Sequence, residues 1–464
     1  MKNQYKNLDG HESLYASRRL RLIQSPLIVI LCFIFLVFSQ SNLSQSLSKG
    51  ERHIFILNPK QPLLHTSSTK FLSFSFDTYS LRKMNELPIS DERFINLARL
   101  LSPAYVRIGG TSADCLFFNE SPPQNSHTQV TSPIDGNHYS NFTFSEEDFL
   151  SLYQFTKKSG LRMLFDLNVL IRNPDGSWND SNARQIVEFA KYHEMTLDWQ
   201  LGNEFLKNDE DCIDYVTWHQ YYINGRTAKV QDFIDPKVFN ILSKQIKSLQ
   251  DVIDGVGKKI PMWLSETSTA FGGGARNISD RFVAGFLFLD KLGYSASEGL
   301  QVVIRQSFFN GHYAMVGPDL NPNAVWWVSV FYKEFVSNKV LKLATINNFG
   351  NVRLYAHCTP EKSLVSRVPA VTVFGMNLHN YSVNISIQGY KSTPKITIFM
   401  YALTSDDLQS RTIKLNGKDL NLLFNGDLPP FKPVILKIGK FITLPAHSMV
   451  FIVMHGIDIP ACFT

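Results

Sequence analysis

Between residues 70 and 310, short apolar runs of β character alternate with amphipathic stretches of helical period, and this alternation constrains the fold most. Strands are predicted over 71–76, 104–108, 162–167, 197–201, 216–223, 262–264 and 300–304. Helices are predicted over 91–101, 145–158, 182–193, 236–253 and 279–295. Three of these open on capping residues: Ser90 or Asp91, Ser145 followed by Glu146 and Glu147, and Ser279 followed by Asp280. Strand and helix in alternation predict a parallel α/β sheet, and at this length a (β/α)8 barrel of the TIM type over 71–335. After about residue 340 the pattern becomes short β-rich runs separated by Gly, Pro, Asn and Asp turns, among them Asn416-Gly417 and Asn425-Gly426. That predicts a C-terminal antiparallel β-sandwich over 336–464. Residues 46–70 are expected to add a strand to it, at 53–57. The Pro/Ser/Asn-rich stretch 121–140 reads as an exposed loop.

The first 45 residues read as an address segment. Arg18, Arg19 and Arg21 precede an apolar run over 27–38, and small polar residues follow, the order of a secretory signal. A spanning helix needs about 20 apolar residues. This run is shorter, so 1–45 is expected to be a signal peptide or signal anchor, and the only membrane contact. Sequons at Asn42, Asn119, Asn141, Asn179, Asn277, Asn380 and Asn384 point to the same route. The product is expected to be a secreted or lysosomal glycoprotein. Removing the segment takes the formal charge from +6 to +3, which gives no reason to expect a nucleic-acid partner. Of the remaining cysteines, Cys358 and Cys462 bracket the C-terminal region and are the favoured disulfide, while Cys115 and Cys212 either pair or stay as thiols. No C-x-x-C or H-E-x-x-H spacing occurs, so no metal site is expected.

In a parallel barrel, functional side chains sit just past the C-terminal ends of the strands. Those ends carry Asp77, Gly109-Gly110-Thr111, Asp166 with Asn168, Asn203-Glu204, the stretch from His219 to Tyr222, Glu266, and Arg305-Gln306. Glu204 and Glu266 each follow an apolar strand. A retaining glycosidase needs two such carboxyl groups roughly 5–5.5 Å apart, one to protonate the leaving oxygen and one to attack the anomeric carbon. Either alone is also what a solvated loop acid looks like. The pair at two strand ends is what points to glycoside hydrolysis.

Several separated motifs resemble one family. Leu201-Gly202-Asn203-Glu204, Trp218-His219-Gln220-Tyr221-Tyr222 with Asn224-Gly225-Arg226, Glu266-Thr267-Ser268 with Gly272-Gly273-Gly274, and Asp290-Lys291-Leu292-Gly293 are similar to the heparanases. Ser102-Pro103-Ala104-Tyr105 and Arg107-Ile108-Gly109-Gly110-Thr111 agree, and leech-type hyaluronidases of the same broad group are similar too. The resemblance implies a cofactor-free endo-β-glucuronidase acting with retention on heparan sulfate or a related acidic glycosaminoglycan. It implies Glu204 as acid/base, Glu266 as nucleophile and Asn203 as the partner of the sugar 2-hydroxyl. It places Asp77, Thr111, Tyr221, Arg226, Gly272, Gly273, Gln306 and Tyr313 along the cleft, Phe271 where a tyrosine is usual, and His219 beside it. Cys358 and Cys462 match a family disulfide.

The sequence departs from that family after Glu204. Phe205 replaces a proline, and only the nine residues 205–213 precede the next strand. A parallel crossover needs a dozen or so residues, so the barrel is expected to lack about one β/α unit. The family's two basic segments are also not visible. Hyaluronan therefore competes as substrate, and a non-catalytic extracellular glycosaminoglycan-binding protein is the reading from another class.

Overall fold

The computed structural model describes residues 52–122, 130–131, 138–203, 214–256, 260–345, 350–391, 396–437, 439 and 441–463. Glu204, Cys212 and residues 1–51, with the apolar run and Asn42, lie outside them. Seven strands form one parallel sheet: β1 (Leu72–Asp77), β2 (Tyr105–Gly109), β3 (Arg162–Leu167), β4 (Asp198–Leu201), β5 (Val216–Gln220), β6 (Met262–Thr267) and β7 (Val302–Arg305). Their order is β4-β3-β2-β1-β7-β6-β5, a barrel's cyclic order interrupted once. Among the described residues β4 and β5 do not pair with each other, and the interruption falls where the short connection 205–213 lies. The fold is a TIM-type barrel that, among the described residues, is open at one seam. The predicted strand 216–223 divides in two: β5 ends at Gln220, and Ile223–Asn224 pairs separately with Ala270–Phe271.

Helices cover the outside: α1 (Glu92–Arg99), α2 (Glu146–Lys158), α3 (Ser181–Tyr192), α4 (Pro236–Val256), α5 (Ala284–Ser297) and α6 (Ala324–Phe335). Asp91 caps α1 by accepting from the amides of Arg93 and Phe94, and Ser145 caps α2 through Asp148. Ser279 is not a cap, contrary to the sequence expectation. Its hydroxyl is taken by the amide of Ala275 and the hydroxyl of Thr269 in a buried turn, and α5 begins only at Ala284. Helix α6 carries no amphipathic signal because it is enclosed nearly all round.

The C-terminal region is a two-sheet sandwich. The strand Ser448–His455 lies between Ala370–Asn377 and Thr397–Thr404 in the larger sheet. The smaller sheet runs Leu343–Thr345, Arg52–Leu57, Val383–Gln388, Ile442–Leu444. Phe55, Leu57, Val371, Val373, Ile385, Val450 and Ile452 form the layer between them. One pairing differs from the all-antiparallel expectation: Arg52–Leu57 runs parallel to Val383–Gln388, as an N-terminal strand arriving from a distant part of the chain is free to do. Asn416 and Gly417 turn a hairpin with φ of 50° and 80°, the left-handed pair that a type I′ turn requires. The stretch 121–140 also contains more than loop, because Val130–Thr131 pairs with His138–Tyr139.

The outer face of the larger sheet packs on α5 and α6, so barrel and sandwich share one core. The buried Asp290 of α5 accepts from Arg353 Nε and Tyr355 Oη, both at 2.6 Å. Its neighbour Lys291 turns the other way and donates to the Ser268 carbonyl at 2.7 Å and to the Thr267 hydroxyl, directly after Glu266. Gly293 has no room for a side chain, since a Cβ there would lie 2.1 Å from the Tyr355 ring. Asp290-Lys291-Leu292-Gly293 is therefore the joint that fixes β6 against the sandwich.

Cys358 and Cys462 are disulfide-bonded across a separation of 104 residues. Replacing both with serine is expected to lower stability by about 2–5 kcal/mol, read as a lower urea midpoint. An unchanged midpoint would show that the cross-link contributes nothing. Cys115 is buried. Among the described residues no helix is long and apolar enough to cross a membrane. Asn119, Asn277 and Asn380 are exposed, and Asn141, Asn179 and Asn384 are partly so, leaving every described sequon accessible.

Candidate active site

The site is organised by Arg107, a charged residue in the middle of apolar β2 whose side chain is 0% exposed. Such a charge survives burial only when paired and hydrogen-bonded. Its guanidinium spans four strands. Nε donates to Gln200 Oε1 of β4 at 3.0 Å, and Nη1 to Glu266 Oε2 of β6 at 2.8 Å. Nη2 donates to Asp166 Oδ2 of β3 at 2.6 Å and to Asn203 Oδ1 at 2.8 Å. Gly109 is what lets this network close: a Cβ there would lie 2.2 Å from Asp166 Oδ2 and 2.4 Å from the Arg107 guanidinium carbon. The Gly110 amide donates to the same Asn203 oxygen at 3.1 Å, so Asn203 is fixed from two sides.

Glu266 lies at the end of β6 with its side chain 12% exposed. Tyr221 donates its hydroxyl to Oε1 at 2.8 Å, and His219 Nδ1 is 3.8 Å from Oε2. Burial works to raise the Glu266 pKa. His219, Arg107 and the hydrogen bonds from Tyr221 and Arg107 outweigh it and hold the carboxyl below its ordinary value. Burial pushes Asp166 above the usual carboxylate range, opposed by Arg107. Asp77 is likewise raised by burial, to about 6, although it accepts from the Tyr79 amide and from Gln306 Nε2 at 2.8 Å. Burial and the neighbouring Glu266 push Tyr221 well above 10, so it stays a donor.

Above Glu266 opens a cleft of about 550 Å³. Of the residues expected along it, Asp77, Thr111, Tyr221, Glu266, Phe271, Gly272, Gly273, Gln306 and Tyr313 do line it. Asn203 and His219 stand behind this lining, touching Arg107 and Glu266 respectively. Arg226 is exposed on the turn after Asn224-Gly225 and is not among the described residues that line this cleft. A Cβ at Gly225 would lie 2.6 Å from the Gly274 carbonyl, so that turn is pressed against the glycine loop. Gly272 and Gly273 have φ of 74° and 82° with open space where a side chain would be, which leaves their backbone bare to the cleft. Glu204 lies outside the described residues. Sequence reasoning missed the role of Arg107, although a lone charge inside an apolar strand was a visible signal. It also missed Tyr79 and Tyr139, which line the cleft from a short helix and a strand pair that periodicity does not reveal.

Glu266 must be ionised to act as a nucleophile. Its acid limb should therefore lie below the 4.5 of an unperturbed glutamate. Tyr221→Phe deletes a hydrogen bond to the charged form, so the pKa should rise and the acid limb of kcat/KM move to higher pH. A limb that stays in place would mean that Tyr221 does not bear on the ionisation of Glu266.

Comparison with known proteins now bears on this geometry. A profile described as glycosyl hydrolase family 79, N-terminal domain, matches residues 73–209 and 205–293. Heparanase of Mus musculus is 30% identical over 501 residues, covering 87% of this chain and 93% of the relative. The chain belongs to glycosyl hydrolase family 79. It is a glycoside hydrolase, and the two pieces of the family 79 match overlap at 205–209. Other family 79 relatives include the inactive heparanase-2 of Mus musculus, 28% identical (88% of this chain, 89% of the relative), and the hyaluronoglucuronidase of Hirudo nipponia, 28% identical (81% and 91%). Among solved structures, a 4-O-alpha-L-rhamnosyl-beta-D-glucuronidase from Fusarium oxysporum 12S superposes with a TM-score of 0.56 at 16% identity (86% of this chain, 99% of that one), a likeness of fold.

Proposed function

We propose that this family 79 chain is a secreted retaining endo-β-glucuronidase that cleaves internal glucuronosyl linkages of heparan sulfate. One observation carries the reading: a carboxylate at a barrel strand end, facing a cleft, is held ionised by an arginine and a tyrosine. Glu266 attacks the anomeric carbon. Glu204 gives its proton to the departing oxygen, and a glycosyl-enzyme ester forms. Glu204 then takes a proton from water, which attacks the same carbon and returns Glu266 as carboxylate. Asn203, with Oδ1 occupied by Arg107 and Gly110, keeps its amide hydrogens for the sugar 2-hydroxyl. The bare amides of Gly272 and Gly273 and the side chains of Asp77, Thr111, Gln306 and Tyr313 offer polar contacts for the uronate ring.

Two other readings each have an observation in their favour. The relative from Hirudo nipponia is named for hyaluronan chemistry, and no basic segment marks the chain for a sulfated polymer. The lack of pairing between β4 and β5 among the described residues, with a relative named inactive, favours a glycosaminoglycan-binding protein without turnover. The test is to incubate the secreted chain with heparan sulfate and with hyaluronan at about pH 5, where a raised-pKa acid is still protonated, and to follow chain length. Shortening of heparan sulfate is expected. Shortening of hyaluronan alone would transfer the reading to that polymer, and binding without shortening would end the catalytic reading.

A further inference from the structure

Three residues that face away from the cleft form a row directly behind it. Gln220 at the end of β5 is in register with Thr267 of β6, and Thr267 with Arg305 of β7. Their chain neighbours Tyr221, Glu266 and Gln306 turn to the reaction side. By the alternation of a strand, the row therefore lies on the outer face of the sheet, and contacts from α5 agree. Lys291 donates to the Thr267 hydroxyl and to the Ser268 carbonyl, and Phe288 lies with its ring centre 5.1 Å from the Arg305 guanidinium. Gln220, Thr267, Lys291 and Arg305 are each at most 2% exposed. The row holds more donors than acceptors. Thr267 gives its own proton to the Gln220 carbonyl at 2.5 Å. Arg305 Nη2 donates to the Tyr313 carbonyl at 3.0 Å, but Nε and Nη1 have no hydrogen-bond acceptor among the described residues, and neither has Gln220 Nε2. Asp290, the acid beside Lys291 in the chain, is turned to Arg353 and Tyr355. Among the described residues neither Arg305 nor Lys291 forms an ion pair. Burial pushes Arg305 down to about 10, and burial together with Arg305 pushes Lys291 well below its ordinary value, against the opposing pull of Asp290.

We propose that this row is a binding site for a small monovalent anion, chloride, held by the Arg305 guanidinium and the Gln220 amide with Lys291 beside them. A buried donor left unmade costs free energy, and a buried charge without a counter-charge costs more. A water molecule accepts protons but brings no charge, whereas an anion answers both needs. Complete burial beneath α5 favours a single-atom ion over a sulfate or a carboxylate. The sheet separates the row from the cleft, so the acidic groups of a polysaccharide do not reach it. The ion joins the ends of β5, β6 and β7, and each of those ends carries a cleft residue: Tyr221, Glu266 and Gln306. Chloride is thereby a structural ligand of the strands that present the nucleophile, whichever polymer the cleft accepts.

The test needs no substrate. Crystals of the unaltered chain grown in sodium bromide should show one anomalous peak against the Arg305 guanidinium and the Gln220 amide. In solution the protein should melt about 2–4 °C higher in sodium chloride than in sodium gluconate at equal ionic strength, because gluconate is too large to enter. Arg305→Gln should lose both the peak and the difference between the salts. Gln220→Leu keeps the two cations and removes one donor, so its chloride midpoint should rise about tenfold. If Arg305→Gln does not fold, Gln220→Leu and the bromide peak of the unaltered chain decide. No bromide peak would overturn the site whatever the melting shift. A peak with equal melting in the two salts would mean an adventitious ion only and would overturn it too, and an unchanged chloride midpoint in Gln220→Leu would contradict the ligands assigned.

Discussion

Glu266→Gln is expected to abolish hydrolysis while leaving the polysaccharide bound. Removing a catalytic nucleophile costs on the order of 10⁴–10⁶ in kcat where it has been measured in other enzymes. The amide keeps the shape of the carboxylate; its single oxygen can accept from Arg107 while its NH₂ donates to the Tyr221 hydroxyl oxygen, but it cannot attack the anomeric carbon. The electrostatics make a second, opposite expectation. Arg107 faces two buried carboxyl groups, Glu266 held ionised and Asp166 pushed up by burial, so neutralising Glu266 leaves Asp166 to serve as the counter-charge of Arg107. The variant should be at least as stable as the parent, as happens when a site strained for function is relaxed. A large fall in Tm together with lost activity would mean that Glu266 is structural. Retained activity would remove it from the mechanism altogether.

Arg107→Gln should be harmful in both respects. It strands the ionised Glu266 without its buried counter-charge and takes the partner from Asp166, a change that costs about 3–5 kcal/mol where buried ion pairs are broken on one side. It also unties β2 from β3, β4 and β6 at once. Glu266 loses one of the groups that keep it ionised, so the acid limb of kcat/KM should move to higher pH. Arg107→Lys is the informative control. An ammonium preserves the charge but cannot spread its donors over Gln200, Asp166, Asn203 and Glu266 together. It should recover part of the stability and little of the rate. Equal stability of Arg107→Gln and the parent would show that the network is ornamental.

Much of the barrel was legible because most inner strands are short apolar runs closed by Gly, Asn, Asp or Glu, and the helices α1 to α4 each carry one apolar stripe. The elements that escaped are those that lack this contrast. Helix α6, with Trp326, Trp327 and Phe331 buried, looks uniformly apolar because neighbours surround it. Ser279 looked like a cap because a serine followed by an acid is the local signature, but the partner it found lies in the preceding turn. The open seam followed from arithmetic on nine residues, since chain length bounds what a connection can hold. Within the site, the residues carried by motif reached the cleft where a strand end holds them, as with Glu266 and Gln306. Arg226 is carried on a turn whose place is set by the packing of Gly225 against Gly274, and no local pattern encodes that contact. Arg107 was visible as a charge out of place, yet its four partners come from three other strands, and only tertiary structure brings them together.

The most direct measurement uses 2,4-dinitrophenyl 2-deoxy-2-fluoro-β-glucuronide, whose leaving group departs without a proton and whose fluorine slows release of the ester. Labelling therefore depends on the nucleophile and not on Glu204. Mass spectrometry of the digested protein should find one fluoroglucuronyl group on the peptide that contains Glu266, and none in Glu266→Gln. A label on another carboxylate, or turnover of the reagent with no covalent intermediate, would contradict a retaining mechanism centred on Glu266.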